Sequence, residues 1–249
     1  MARAGGATQS LLLALETATR VMSVALLDGE RVVAEISSDD ERVHSERLLP
    51  AVDRLLELAG VSLAEVAAFA VSIGPGSFTG LRVGLATLKA FAFDEARPVA
   101  PVSTLAALCA AAAGARGPVA ALLDARRGEV YAAAVATAGD AEPTLLPDSV
   151  FTPEELAAAL PQGTTLVVGE GAEPSAGRLR LLRPDLRSIH PAECAGRASR
   201  VGRLGRALLA AGRAVPAAEL VPRYVRRAEA EVRRTGEALE RVPESRAPR

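Results

Sequence analysis

Short apolar runs separated by polar turns divide the chain into alternating strand-like and helix-like segments. Residues 11–17 (Leu-Leu-Leu-Ala-Leu-Glu-Thr) have the length and content of a buried strand, and residues 21–27 supply a second, closed by Asp28-Gly29. That dipeptide accommodates the positive φ a tight hairpin needs, and residues 31–37 alternate as a third strand, so the chain opens as an antiparallel meander. Over residues 44–60, Leu48, Val52, Leu55, Leu56 and Ala59 share one helical face, Gly60 is the stop, and Pro50 must sit in the first turns or kink the helix. Residues 66–73 read as a fourth strand and 81–94 as a helix, which completes a β-β-β-α-β-α lobe. Past residues 98–103 the pattern predicts a helix at 104–113, then strands at 119–124, 129–136 and 143–151. A helix at 153–160, a strand at 165–168 and helices at 175–182 and 192–211 follow. The order of elements recurs without sequence repetition, which suggests a duplicated architecture. Two lobes are expected, residues 8–103 and 104–226. Residues 227–249 are rich in Arg and Glu with few large apolar side chains, and are expected to fray or stay disordered.

The helix at 81–93 is apolar on two sides. Leu81, Leu85, Leu88 and Ala92 occupy one face and Val83, Ala86, Ala90 and Phe93 another, leaving Arg82, Thr87 and Lys89 as its polar positions. One sheet covers only one face, so the second needs either the helix at 44–59 or another chain. Both remain open, and Gly84, Ala86 and Ala90 would let a partner helix approach closely. On the second alternative, Gly84→Arg abolishes pairing and leaves the fold intact.

The junction between the fourth strand and this helix, residues 72–84, reads Ser-Ile-Gly-Pro-Gly-Ser-Phe-Thr-Gly-Leu-Arg-Val-Gly and contains no His, Cys, Asp or Glu. It is a shaped turn: Gly74, Gly76 and Gly80 permit close backbone approach, Pro75 fixes φ, and Ser77 or Thr79 can cap the helix. No lysine follows at the spacing of a phosphate-binding P-loop, the glycines are spaced one residue too widely for a dinucleotide fingerprint, and Ser77 lacks the flanking glycine pair of a nucleophile elbow. What remains is either backbone packed on backbone, the favoured reading, or an anion site at the helix start.

Composition narrows the chemistry. The 249 residues are 49% hydrophobic with net charge −1, enough for one bilobal unit or two domains, with no field to draw nucleic acid unaided. The apolar runs are too short to span a membrane, the first ten residues resemble no export signal, and Cys109 and Cys194 make no disulfide framework, so a reducing cytoplasm is expected. Lys89 is the single lysine, and the excess of Arg and Ala reads as genomic bias. His44 and His190 are the two histidines; Leu48 stands where a helical metal pair starting at His44 needs its second ligand, so neither zinc nor iron is expected and no cofactor is implied. Asp124-Ala-Arg-Arg-Gly-Glu-Val-Tyr131 holds either an Asp facing Mg²⁺ and phosphate or, preferably, an Asp124–Arg126 turn clamp. Arg197, Arg200, Arg203 and Arg206 sweep round a helix and read as a solvated surface.

Five segments together resemble the TsaB family, formerly YeaZ: residues 11–17 with Thr19, His44-Ser-Glu-Arg-Leu-Leu-Pro50, the loop from Ile73 to Gly84, the block from Asp124 to Tyr131, and Pro222-Arg-Tyr-Val-Arg226. The resemblance implies an α/β, actin-like, ribonuclease-H-like bilobal fold. It also implies a non-catalytic subunit that pairs with the related enzyme TsaD and supports transfer of a threonylcarbamoyl group to adenosine 37 of tRNAs reading ANN codons. The ATPase TsaE joins that assembly, tRNA is contacted only indirectly, and the isolated subunit can homodimerise. The implied partner surface comprises His44, Arg47, Leu48, Ala51, Val52 and Leu55 on one helix and Leu81, Arg82, Gly84, Leu85, Leu88 and Lys89 on the other. A degenerate nucleotide cleft would hold Glu16, Thr17, Asp124 and Arg126. Glu16 stands where the family has aspartate, which weakens the alternative of an actin-like Mg-nucleotide ATPase or sugar-kinase-like enzyme.

Overall fold

The structure, a computed structural model, describes residues 11–39, 44–93, 97–139, 141, 143–162, 166–170, 173–189 and 197–225. The expected tail at 227–249, His190, Cys194 and the first residues of the helix expected at 192–211 lie outside them.

Strands β1 (Leu11–Glu16), β2 (Met22–Asp28) and β3 (Arg31–Ser38) form the predicted meander, with Gly29 at φ 60° in the first turn. Helix α1 (His44–Ala59) then leads through a 3-10 turn to β4 (Val66–Gly74), parallel to β1, and α2 (Phe78–Phe91) leads to β5 (Val99–Ser103), parallel to β4. The second half repeats the plan. It runs through α3 (Thr104–Cys109), β6 (Val119–Asp124), β7 (Val130–Val135), β8 (Leu146–Phe151), α4 (Pro153–Ala159), β9 (Leu166–Glu170), α5 (Glu173–Leu182) and β10 (Arg187–Ile189) to α6 (Arg197–Ala210). The sheets run β3-β2-β1-β4-β5 and β10-β9-β6-β7-β8. In each, the first strand is antiparallel to the second and parallel to the fourth, so the duplication is one of topology. This twice-used order is the actin-like, ribonuclease-H-like arrangement.

Two strands escaped the sequence reading. Val99–Ser103 form β5, whose Pro101 removes one donor from a strand at the edge of the sheet, and β10 is three residues long. Helix α2 starts at Phe78, three residues before the expected position, because the Ser77 hydroxyl accepts from the Gly80 amide and caps it there.

Helices α1 and α2 cover one face of the first sheet, enclosing Leu13, Leu15, Phe69 and Val71. The opposite face is paved with Ala14, Ala25, Ala68, Ala70 and Ala100, and α6 lies on it. Approach is close enough that a Cβ on Gly205 would sit 2.5 Å from the Ala70 Cβ, and one on Gly202 2.4 Å from Leu27 Cδ1. Small residues on both partners therefore set the spacing, and part of the alanine content read as genomic bias has a packing role. Ser23 and Glu35 on the strands accept from the Ala198 and Ser199 amides at the start of α6. Arg206, expected to be merely solvated, donates to the Leu27 carbonyl at 3.2 Å. All six residues of α3 are buried because the helix lies between the sheets: Ala106 and Ala107 join the first sheet's core, Leu105, Leu108 and Cys109 the second's. Helices α4 and α5 close the far face of the second sheet.

Candidate functional site

The parallel strands β1 and β4 end side by side, and the loop after β4 folds over the end of β1. Gly74–Pro75 is a cis peptide and Gly74 has φ 119°. The Ser77 amide donates to the Ala18 carbonyl at 2.7 Å. A Cβ on Gly76 would lie 2.2 Å from that same carbonyl oxygen, and one on Gly80 2.0 Å from the Thr17 carbonyl oxygen. These glycines exist for close approach, and what they approach are carbonyl oxygens, which repel an anion. The geometry thus favours backbone packing over the alternative of an anion site.

Glu16 and Thr17, expected in a degenerate nucleotide cleft, are buried beneath this loop. One carboxylate oxygen of Glu16 accepts from the Ala18 amide at 2.7 Å and the other from the Ser72 hydroxyl. Thr17 lies under α2, where a Cβ on Gly84 would meet its Oγ1 at 2.2 Å; that hydroxyl is buried without a hydrogen-bond partner. Asp124 ends β6 in the second sheet, where its carboxylate accepts from the Arg126 amide at 2.8 Å and lies 3.6 Å from the Arg126 guanidinium. Arg126 and Arg127 both take left-handed φ, 66° and 58°, within the hairpin. Tyr131, on the next strand, has its phenol pushed above its ordinary pKa of 10.0 by burial first and by the Asp124 charge second.

The twelve residues expected at a partner surface divide sharply. Leu48, Ala51, Val52, Leu55, Leu81, Gly84, Leu85 and Leu88 are buried in the layer between α1, α2 and the first sheet, and His44 is buried with Nε2 3.2 Å from the Arg20 carbonyl. Arg47 and Arg82 are exposed and Lys89 partly so. Helix α1 is thus one cover for the two-sided α2, but it leaves Ala86, Ala90 and Phe93 exposed, Phe93 to 83%. Gly84 faces inward onto Thr17, so Gly84→Arg cannot leave the fold intact as expected; it would drive a long charged side chain into the core.

Three residues of the site carried no chemical signal in the sequence. Asp148 on β8 has a fully buried side chain that accepts from Ser103 Oγ at 3.1 Å and lies 2.8 Å from the Arg223 guanidinium. The Arg223 amide donates to the Ile73 carbonyl at 2.7 Å. Tyr224 packs on Phe78 at 5.1 Å between centroids, and the Arg82 guanidinium covers that Phe ring at 4.0 Å. The one available pointer was the segment at 222–226, which carried the family resemblance without a role. Among the described residues no group of His, Cys, Asp and Glu is placed to hold a metal ion, and no helix is long and apolar enough to cross a membrane.

YeaZ from Pseudomonas aeruginosa superposes with a TM-score of 0.72 at 33% identity, covering 86% of this chain and 99% of that one. The chain belongs to the TsaB/YeaZ family. The family model described as TsaD, tRNA N6-adenosine threonylcarbamoyltransferase, matches residues 31–179. Two relatives named tRNA threonylcarbamoyladenosine biosynthesis protein TsaB are similar in sequence. The one from Haemophilus influenzae is 44% identical over 123 residues, 48% of this chain and 51% of the relative. That from Escherichia coli is 40% identical over 122 residues, 48% and 52%. The chain thus spans about half the length of the curated relatives it matches. In this TsaB/YeaZ chain the loop from Ile73 to Gly84 and the segment from Pro222, far apart in sequence, lie against each other.

Proposed function

We propose that this chain is a non-catalytic scaffold subunit in the biosynthesis of threonylcarbamoyladenosine in tRNA. It pairs with a TsaD-type transferase and supports transfer of the threonylcarbamoyl group to adenosine 37 of tRNAs reading ANN codons. The observation that carries the reading is the match along nearly the whole length of a YeaZ structure, together with the names of the curated TsaB relatives. The non-catalytic role is supported by the fate of Glu16 and Thr17. An actin-like ATPase keeps the equivalent ends of β1 open to metal and phosphate, and here both are consumed by packing against the loop and α2. Pairing is supported by the outer face of α2, where Arg82, Ala86 and Ala90 form an exposed strip at helical spacing, with exposed Phe93 in the turn just past the helix. Arg47 and Lys89 extend the surface. In isolation the same strip serves self-association, and the ATPase TsaE and tRNA join through the partner.

The test is co-expression with a TsaD-type transferase followed by size-exclusion chromatography. Co-elution is expected with the wild-type chain and lost with Ala86→Arg/Ala90→Arg, whose far-UV circular dichroism stays unchanged because both positions are exposed. Co-elution of the double variant refutes the surface, and failure of the wild type to co-elute refutes the pairing. Calorimetric titration with Mg-ATP is expected to show no turnover; binding with hydrolysis refutes the non-catalytic reading.

A further inference from the structure

We propose that Arg223 is a positioning residue that latches the two sheets together and holds the C-terminal strap, residues 215–225, across the mouth of the glycine loop. Its backbone is docked on the first sheet: the Arg223 amide donates to the Ile73 carbonyl at 2.7 Å, and the Arg223 carbonyl oxygen lies 2.6 Å from where a Gly74 Cβ would be. Its guanidinium reaches the second sheet, 2.8 Å from Asp148 on β8. Asp148 in turn accepts from Ser103 at the junction of β5 and α3. The Arg223 backbone and side chain, with the Asp148 carboxylate, thereby join β4, β8 and the β5–α3 junction, which no turn connects.

The strap is anchored on both sides of the latch. Upstream, Val215 and Val99 exchange two backbone hydrogen bonds, 3.1 and 2.9 Å, and Leu220 is buried in the first core. Downstream, Tyr224 packs on Phe78. From Val99 at the amino end of β5 the strap runs to Ile73 at the carboxyl end of β4, the edge at which open parallel sheets bind ligands. In this chain that edge is filled by the chain itself.

The Asp148 side chain is entirely removed from solvent, whereas Arg223 is 42% exposed. Removing the Arg223 cation raises the cost of keeping the Asp148 carboxylate charged and buried, a cost relieved by proton uptake or by movement of the carboxylate to water. Movement to water requires the strap to lift and β8 to part from the end of β5. The inference does not rest on pairing with a transferase.

The experiment measures the distance between spin labels on the two halves of the full chain by pulsed electron resonance. Labels are placed at Glu30→Cys on the β2–β3 turn and Arg180→Cys on α5, both exposed, in a Cys194→Ser background with buried Cys109 retained. A single narrow distribution is expected for the wild-type latch. Arg223→Gln and the isosteric Asp148→Asn are each expected to broaden it toward longer distances, with the native peak losing most of its area. Arg223→Lys, which keeps the charge, should restore part of that peak. Arg183→Gln, which breaks the Arg183–Asp185 pair away from the latch, should leave the distribution unchanged. If Arg223→Gln fails to fold, Asp148→Asn decides, since it alters neither volume nor backbone. A wild-type distribution in either folded latch variant, or equal broadening by Arg183→Gln, overturns the proposal.

Discussion

The contact between Gly84 and Thr17 tests how α2 is seated. A methyl group on Gly84 would lie 2.2 Å from Thr17 Oγ1 and 3.3 Å from Thr17 Cβ and Cγ2. Ordinary heavy-atom contact is about 3.5 Å, so the helix and the end of β1 must separate by roughly 1 Å. Thr17 cannot yield, being fully buried with its carbonyl oxygen already wedged beneath Gly80. Overpacking of this kind costs about 1–3 kcal/mol, whereas replacing a helical glycine by alanine contributes about 1 kcal/mol in the opposite direction. Gly84→Ala therefore loses the whole helical gain and is expected to end up to about 2 kcal/mol less stable than wild type. Thr17→Ala removes the obstructing Oγ1 and Cγ2. It also removes a buried hydroxyl that has no partner, worth about 1–3 kcal/mol of desolvation, so its own cavity cost is largely offset. The double variant should then be more stable than Gly84→Ala alone, a coupling of at least about 1 kcal/mol. Urea unfolding followed by far-UV circular dichroism reads all four stabilities. A Gly84→Ala protein stabilised by the full helical gain of about 1 kcal/mol, or a double variant no better than Gly84→Ala, refutes the seating of α2 on Thr17.

Tyr131 makes stability depend on alkaline pH. Because burial and Asp124 raise its folded pKa above 10.0, its contribution is fully present below about pH 10 and is lost as pH rises through the folded value. Asp124→Asn should move the phenolate absorbance titration of Tyr131 back toward its ordinary range, followed in a Tyr224→Phe background where Tyr131 is the one remaining tyrosine; an unmoved titration contradicts the assignment. At the start of α4, Thr152 and Glu155 cap each other's amides, 2.8 and 3.2 Å, and Thr152→Ala should cost about 1 kcal/mol, or about 2–4 °C in Tm by calorimetry. The hydrogen bonds from Thr152 hold the Glu155 carboxyl below its usual range, so the stability it adds is present above that range and fades as pH falls through the lowered value. Arg97 donates to the carbonyls of Leu63, Val66 and Phe91, tying the start of β4 to the end of α2. Lysine cannot span that fork, and Arg97→Lys should lose about 1–3 kcal/mol in the same urea assay.

Local pattern determined the elements themselves. Alternation and the Asp28-Gly29 turn specify the meander and the face of Leu48, Val52 and Leu55 specifies α1, whereas the start of α2 was legible only as a choice of Ser77 or Thr79 for the cap, which the structure resolves to Ser77. The glycine spacing was enough to separate the loop from the known phosphate-binding turns, because those motifs need groups at fixed offsets. Periodicity did not reveal β5, a short apolar run interrupted by Pro101, or the role of the alanine-paved face, since alanine carries little signal until a glycine-bearing helix is laid on it.

Tertiary structure decided what the apolar and charged residues are for. Sequence showed that α2 needed cover on two sides, but only packing assigned Leu81, Leu85 and Leu88 to the core and left Ala86, Ala90 and Phe93 outside, because which neighbour arrives depends on the position of α1 and the first sheet. Likewise Asp148 and Arg223 are 75 positions apart by subtraction of their numbers, and neither sits in a motif that announces a pair. Their meeting follows from the return of the chain across both sheets, and interactions at such separations leave no periodic trace in the residues that make them.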